Sequence, residues 1–266
     1  MGWSRGVVVG VDLNLPCLGV AFIARDLEAA RTVLEACEQC GIGLSEPFYT
    51  SKGLCTAGVV ELPWYKSFEE WLAPRVKAHL RRMLPEARRI KRRMEKRRLR
   101  LPVPEADAVL GVLAGRRLLE ELPTAVAEDL ERLVYCWNRE WRRKYKWSLR
   151  CAVGRAARAV ELLREEGFVV AKLERLRGAL RCWKYNSKAR RWAWRYATSL
   201  FLKWTKAPVA LVNPAYTSSR CPVCRGWLAK KSYRELVCGE CGREWHRDAA
   251  AAVNVAMAGV VEWLRA

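Results

Sequence analysis

The sequence lacks any run of about 18 apolar residues, the least that carries a helix across a bilayer. The longest candidates, Ala207 to Val212 and Ala249 to Val261, are too short or carry Asn254. A spanning helix is therefore excluded. Arg5 followed by an apolar run has the outline of a secretory signal, but Asp12 falls inside the would-be greasy segment, so a cytoplasmic location is expected. Gln39 is the only glutamine and arginine far outnumbers lysine, which suits a thermophile or a GC-rich genome equally. No internal repeat and no low-complexity linker occurs. With 51% hydrophobic and 29% charged residues in 266, the chain reads as one large domain or two smaller ones, which excludes a disordered tail protein.

Acidic residues are also scarce: 28 Asp and Glu face 49 Lys and Arg, for a net charge of +21. A chain so basic repels itself unless a polyanion neutralises it, and nucleic acid is the expected partner. The charge is clustered. From Arg75 to Arg100 there are thirteen basic residues, including Arg88, Arg89, Lys91, Arg92, Arg93, Lys96, Arg97 and Arg98, against only Glu86 and Glu95. From Lys172 to Lys206 there are eleven, including Lys188, Arg190, Arg191 and Arg195, against Glu174 alone. One such run is as easily a solvated helix face; two favour phosphate binding. Trp183, Tyr185, Trp192, Trp194 and Tyr196 could stack unpaired bases. Equally, Ala193, Ala197, Leu200, Phe201 and Trp204 look like the core stripe of a helix.

Gly6 to Leu13 and Leu18 to Ala24 read as a strand pair, and Asp26 to Cys37 as a helix with Asp26 as N-cap. Leu54 to Leu62 reads as a third strand. Helical patterns follow from Phe68, with Pro85 opening a very basic helix to about Arg100, and again over Ala106 to Trp147 and Leu149 to Glu166. Phe168 to Leu173 and Pro208 to Asn213 read as buried strands flanking a helix from Ala189 to Lys206. A last helix is expected from about Arg247 to Leu264. Strands alternating with helices after an opening strand pair indicate an α/β domain with a mixed sheet.

Eleven cysteines without a secretory signal argue against a disulfide framework. In a hyperthermophile, Cys17, Cys37, Cys40, Cys55, Cys136, Cys151 and Cys182 could still pair. The spacing Cys221-x2-Cys224-x13-Cys238-x2-Cys241 gives two knuckles separated by enough chain for a hairpin, so that four thiolates close on one tetrahedral zinc. Gly226, Gly239 and Gly242 stand where knuckle backbones call for open φ angles. His246 is a spare ligand that four-coordination does not need.

Three acids are also notable. Asp12 ends the first apolar strand, Glu174 ends the strand from Val169, and Asp248 opens the helix after the cysteines. Carboxylates at the ends of buried strands are costly unless a cation meets them, although each taken singly is more simply a strand-end or cap residue facing water.

GVDLNLPCLGVAF around Asp12, VVAKLER around Glu174, NPAYTSSRCPVC from Asn213 and CGECGREWHRDAAAAVN from Cys238 together resemble the RuvC-like nuclease half of transposon-encoded TnpB proteins, relatives of type V CRISPR effectors. The resemblance implies an RNase H-like fold over 1–214 and 247–266, with a basic helical insertion at about 68–150 and a zinc ribbon at 215–246. It implies that Asp12, Glu174 and Asp248 hold Mg²⁺ or Mn²⁺ for DNA hydrolysis, with structural zinc in the ribbon. The basic helix near Arg88 to Arg100 would match the bridging helix. The family usually has Asn where Ala250 stands, while Asn254 is kept. Its guide-binding N-terminal portion has no counterpart before the first strand, so a guide RNA, if used, is expected to depend on another protein. The alternative is a nucleic-acid-binding derivative without hydrolysis. A junction resolvase fits the acids but not the ribbon, and a bare zinc-ribbon transcription factor leaves most of the chain idle.

Overall fold

The computed structural model describes residues 6–13, 17–64, 71, 74–75, 124–175 and 188–265. The chain divides into two compact units, Met1–Pro63 with Leu149–Ala266, and Trp64–Ser148. In the second, the indole of Trp71 meets Trp64 edge-on at 5.4 Å and lies under the Arg75 guanidinium at 3.2 Å.

The first unit is built on a seven-stranded mixed sheet. β1 (Gly6–Asp12) and β2 (Cys17–Ala24) form the opening antiparallel pair, followed by α1 (Leu27–Gln39), whose N-cap Asp26 accepts from the Ala29 N–H at 2.8 Å. β3 (Phe48–Thr50) and β4 (Gly53–Glu61) extend the sheet beyond β2. α2 (Thr124–Glu166) leads into β5 (Phe168–Glu174), and α3 (Lys188–Trp204) into β6 (Val209–Val212). β5 pairs parallel with both β1 and β6. β7 (Leu228–Lys230), β8 (Glu235–Cys238) and β9 (Glu244–His246) make a separate three-stranded sheet, before α4 (Arg247–Met257) and β10 (Val260–Arg265). The large sheet runs β10-β6-β5-β1-β2-β4-β3. This mixed α/β sheet with an inserted ribbon is the expected fold class.

Two expectations differ from what is found. A single helix covers 124–166, without an interruption at Ser148. The last helix stops at Met257, and the segment to Arg265 is a strand antiparallel to β6. Ala258 caps α4 in extended conformation, Gly259 follows, and the β-branched pair Val260 and Val261 favours a strand. Of the helix expected from Phe68 only Trp71, Pro74 and Arg75 are described, and they are helical; the basic helix to Arg100 and the helical stretch expected over 106–123 lie outside the described residues.

α4 is buried from Asp248 to Ala256 and packs on β1 and β2 through alanines. Its approach is set by two glycines. A Cβ on Gly10 would stand 2.1 Å from the Ala252 carbonyl oxygen, and one on Gly19 would stand 2.0 Å from that of Asp248. Both obstacles are backbone, so no rotamer change relieves them. Gly19→Ala is expected to cost at least about 1–3 kcal/mol, read as a fall in Tm, and to displace the N-terminal turn of α4. A variant melting with wild type would refute this packing. Lys172 secures the other end of α4, donating from Nζ to the carbonyls of Ala256 (2.8 Å) and Ala258 (2.7 Å).

Candidate active site and metal centre

Parallel register between β1 and β5 opposes Val11 to Leu173. Asp12 and Glu174 are the next residues, so both carboxyls arise side by side at the carboxyl ends of adjacent strands, where ligands of open α/β sheets bind. Asp248 reaches the same place because α4 begins over Gly19, the register partner of Asp12. Asp12 is 7% exposed and Asp248 fully buried. Burial, then the like charges of Glu174 and Asp248, hold the Asp12 carboxyl well above the usual carboxylate range, against a smaller opposing pull from Arg247. Burial also raises Glu174, against the hydrogen bond that the Thr217 hydroxyl donates to its Oε1.

Crowded, desolvated carboxyls suit a hard cation, which removes both penalties at once. Asp12 and Glu174 therefore fit a divalent ion. Asp248 differs, because two arginines already hold it. Arg247 donates to Oδ1 from Nε (3.1 Å) and Nη2 (3.0 Å), and Arg234 Nη1 donates to Oδ2 at 2.7 Å. The Cys17 thiol donates to the same Oδ2 at 3.1 Å, and burial with the Asp248 charge pushes it up to about 12. Cys17, His246 and Asp248 bring three donor atoms within 4.8 Å of one another. Arg234 Nη1 sits against this group at 2.7 Å from both Cys17 Sγ and Asp248 Oδ2. His246 is the N-cap of α4, its Nδ1 accepting from the Asp248 N–H at 3.3 Å. Burial first of all lowers its pKa. Its position makes it the capping imidazole of α4.

The four ribbon cysteines stand apart from the acids. Their sulfurs lie within 4.8 Å of one another, with Cys221 to Cys241 at 3.8 Å and Cys224 to Cys238 at 3.3 Å. A tetrahedron with Zn–S bonds of about 2.3 Å has edges of about 3.8 Å, so the donor set fits zinc. Each knuckle is shaped by its backbone: Arg225 N–H donates to Cys221 O at 3.0 Å, and Gly242 N–H to Cys238 O at 3.0 Å. The Cys241 N–H aimed at Cys238 Sγ helps draw that thiol down to about 7. Of the three glycines expected at open angles only Gly242 has one, at φ 68°; Arg225 occupies the matching position of the first knuckle at 66°. Gly226 and Gly239 are not at positive φ. The ribbon does not rely on metal alone. Trp245 meets Phe48 of β3 edge-on at 5.2 Å, and Leu236, Cys221 and Cys238 share the same buried cluster.

Around the acids, Asn254 carries only the family resemblance as a signal in the sequence, and Thr217 none of its own. Thr217 holds Glu174, and Asn254 holds Thr217: its Nδ2 donates to the carbonyls of Thr217 (2.7 Å) and Arg220 (2.8 Å), and its Oδ1 accepts from Arg225 Nη1 at 2.8 Å. Ala250, where an Asn was expected, is fully buried in the core cluster. Of the basic candidates, Arg195 is exposed on α3, and Lys188, Arg190 and Arg191 lie on the same helix. Arg88, Arg89, Lys91, Arg92, Arg93, Lys96, Arg97 and Arg98 fall outside the described residues. Ala197, Leu200 and Phe201 are buried, as the core-stripe reading of α3 requires. Among the described residues every cysteine is a free thiol.

A sheet of this order carrying acids at the carboxyl ends of β1 and β5, with a cysteine ribbon leading into an acid-bearing helix, defines a RuvC-like architecture. Residues 198–255, which run from α3 through the ribbon and Asp248, match the Cas12f1-like TNB domain family. In fold, the chain is similar to the mini-RNA-guided endonuclease CRISPR-Cas_phi3, at 14% identity and a TM-score of 0.50, covering 95% of this chain and 44% of that one. CasPhi-2 (Cas12j) bound to crRNA is also matched, at 14% identity and a TM-score of 0.41, over 97% of this chain and 48% of that one. The chain thus spans less than half the length of either. No curated protein sequence is matched. The resemblance to type V effectors is borne out at the level of the fold and of the ribbon segment. No described helix is long and apolar enough to cross a membrane.

Proposed function

We propose that the chain is a metal-dependent endonuclease that hydrolyses DNA phosphodiesters, working as the RuvC-like half of a TnpB or type V type machine. The observation that carries this reading is the crowding of the buried Asp12 carboxyl by Glu174 and Asp248, which come from β5 and α4. Asp12, Glu174 and Asp248 are the residues that would hold Mg²⁺ or Mn²⁺. Bound divalent ions supply a nucleophilic water at neutral pH and neutralise charge on the leaving oxygen.

The other roles belong to the protein. Thr217 fixes the Glu174 carboxylate through its hydroxyl, and Arg234 and Arg247 fix Asp248. Lys188, Arg190, Arg191 and Arg195 on α3, with the basic run from Arg88 to Arg98, would hold backbone phosphates, with affinity falling steeply as salt rises. Residues 1–214 with 247–266 act as the catalytic domain, the segment at about 68–150 as its basic insertion and 215–246 as a zinc-bound ribbon. A guide RNA is the partner this reading calls for. The similarity to an RNA-guided endonuclease supports it.

One observation favours a second reading, a nucleic-acid binder without hydrolysis. Asp248 is already neutralised by two guanidiniums, which compete with any cation for its oxygens. The two readings part on cleavage. Purified protein with labelled single-stranded DNA and Mg²⁺ or Mn²⁺ is expected to cut, and Glu174→Gln to lose more than about a hundredfold in rate while still binding DNA. A wild-type protein that binds but never cuts would leave the second reading standing. Sequencing of co-purifying nucleic acid checks the guide: a defined RNA is expected, and random fragments would count against it.

A further inference from the structure

Among the described residues, the non-glycine residues with left-handed backbone are Tyr216 (φ 63°) and Arg225 (φ 66°). At Arg225 the first cysteine knuckle imposes this conformation; no knuckle accounts for it at Tyr216, and non-glycine residues held in that region cluster at active sites and ligand clamps. Both residues line one cavity of about 170 Å³, together with Lys52, Asn213, Thr217 and Asn254. Its lining contains two cations and no carboxylate. Asn254 builds the wall, holding the Thr217 and Arg220 carbonyls and the Arg225 guanidinium at once. Thr217 connects the wall directly to Glu174.

At the mouth stands an aromatic pair. The Tyr216 ring is 63% exposed and meets Trp227 edge-on at 5.9 Å. Trp227 is itself 52% exposed and lies under the Arg220 guanidinium at 3.6 Å. An exposed ring offers a face to any base, and cations offer partners to a phosphate. A stacked base pair cannot present its face to that ring; an unpaired base can.

We propose that this cavity is a subsite for one unpaired nucleotide of the strand to be cut, its base on Tyr216 and its phosphate between Lys52 and Arg225. The words "to be cut" rest on the nuclease reading; the binding does not. The subsite adjoins Glu174, so the nucleotide it takes is a neighbour of the scissile phosphate.

Binding in buffer without added Mg²⁺ or Mn²⁺, and without a chelator that would take the ribbon zinc, separates the two. Full-length protein is titrated with a single-stranded oligonucleotide carrying iodouracil, in parallel deoxyribo and ribo forms, and cross-linked by light. Cross-links are expected at Tyr216, and whichever form gives them assigns DNA or RNA. Tyr216→Ala and Tyr216→Gly, the latter leaving the positive φ unstrained, should each weaken binding about tenfold, and Tyr216→Phe should not. Lys52→Ala should weaken binding and lower the salt dependence by about one phosphate contact. Cross-links confined to other aromatics, or unchanged affinity in Tyr216→Gly, would overturn the subsite. A protein cross-linked at Tyr216 that never cleaves keeps the subsite and loses the nuclease; one that cleaves but cross-links elsewhere does the reverse.

Discussion

Removal of zinc, by chelation or by Cys238→Ser, is expected to lower the melting temperature by about 10 °C or more and to abolish divalent-ion binding at the acids in the same step. The first part follows from the ribbon's construction. Four sulfurs within 4.8 Å of one another repel as thiolates and leave a void as thiols, and structural zinc contributes about 10–16 kcal/mol in isolated finger peptides. Here Trp245 and Leu236 also anchor the ribbon to the main core, so only part of that is lost. Several kcal/mol at about 2–4 °C each gives the stated shift. The second part follows from connectivity. β9 ends at His246 and α4 begins at Arg247, and the Arg247 N–H donates to the Arg234 carbonyl at 2.8 Å. A melted ribbon releases Arg234, the His246 cap and the Asp248 turn together. Calorimetry with colorimetric zinc release is the measurement; an unchanged Tm after complete chelation would show that packing alone holds the ribbon.

Asp12→Asn is expected to stabilise the metal-free protein at neutral pH while removing its response to Mg²⁺ and its cleavage. An acid whose folded pKa lies above its unfolded one is a burden once ionised. Below about pH 4 Asp12 is protonated in both states and the burden is absent. It grows as pH rises from the ordinary 3.8 towards the raised folded value, and persists above it. The variant should therefore melt higher than wild type at pH 7, by an equivalent of roughly 1–3 kcal/mol, and with it at about pH 3. Adding Mg²⁺ or Mn²⁺ should raise the Tm of wild type and leave the variant unmoved. Two proteins with equal melting temperatures at both pH values and equal metal responses would mean that Asp12 neither bears the crowding nor meets the ion.

Local pattern made some parts of the molecule readable and left others hidden. The strands at Asp12 and Glu174 show as apolar runs because both faces of the central sheet are covered. β10 did not show: its valines follow an alanine-rich helix, and only pairing with β6 across the chain makes Val260 to Arg265 a strand. Nothing in the sequence sets Arg234 apart from the other basic residues of its segment, yet it is the partner of Asp248 and Cys17. Asn254 stood out only through family resemblance, and its three bonds explain why an amide is needed there while Ala250 is simply packed.

Residue order alone was enough to specify the cysteine knuckles, because two cysteines three positions apart are brought together by their own turn, whatever surrounds them. It was enough, too, for the basic balance that calls for a polyanion. Spatial assembly decided everything that depends on which strands are neighbours: parallel pairing of β1 with β5 puts Asp12 beside Glu174, and the missing side chains of Gly10 and Gly19 let α4 lie close enough to bring Asp248 in. The distinction is one of range. A knuckle is settled within a few bonds, whereas a carboxylate cluster drawn from residues 12, 174 and 248 exists only once the sheet order has been settled by packing.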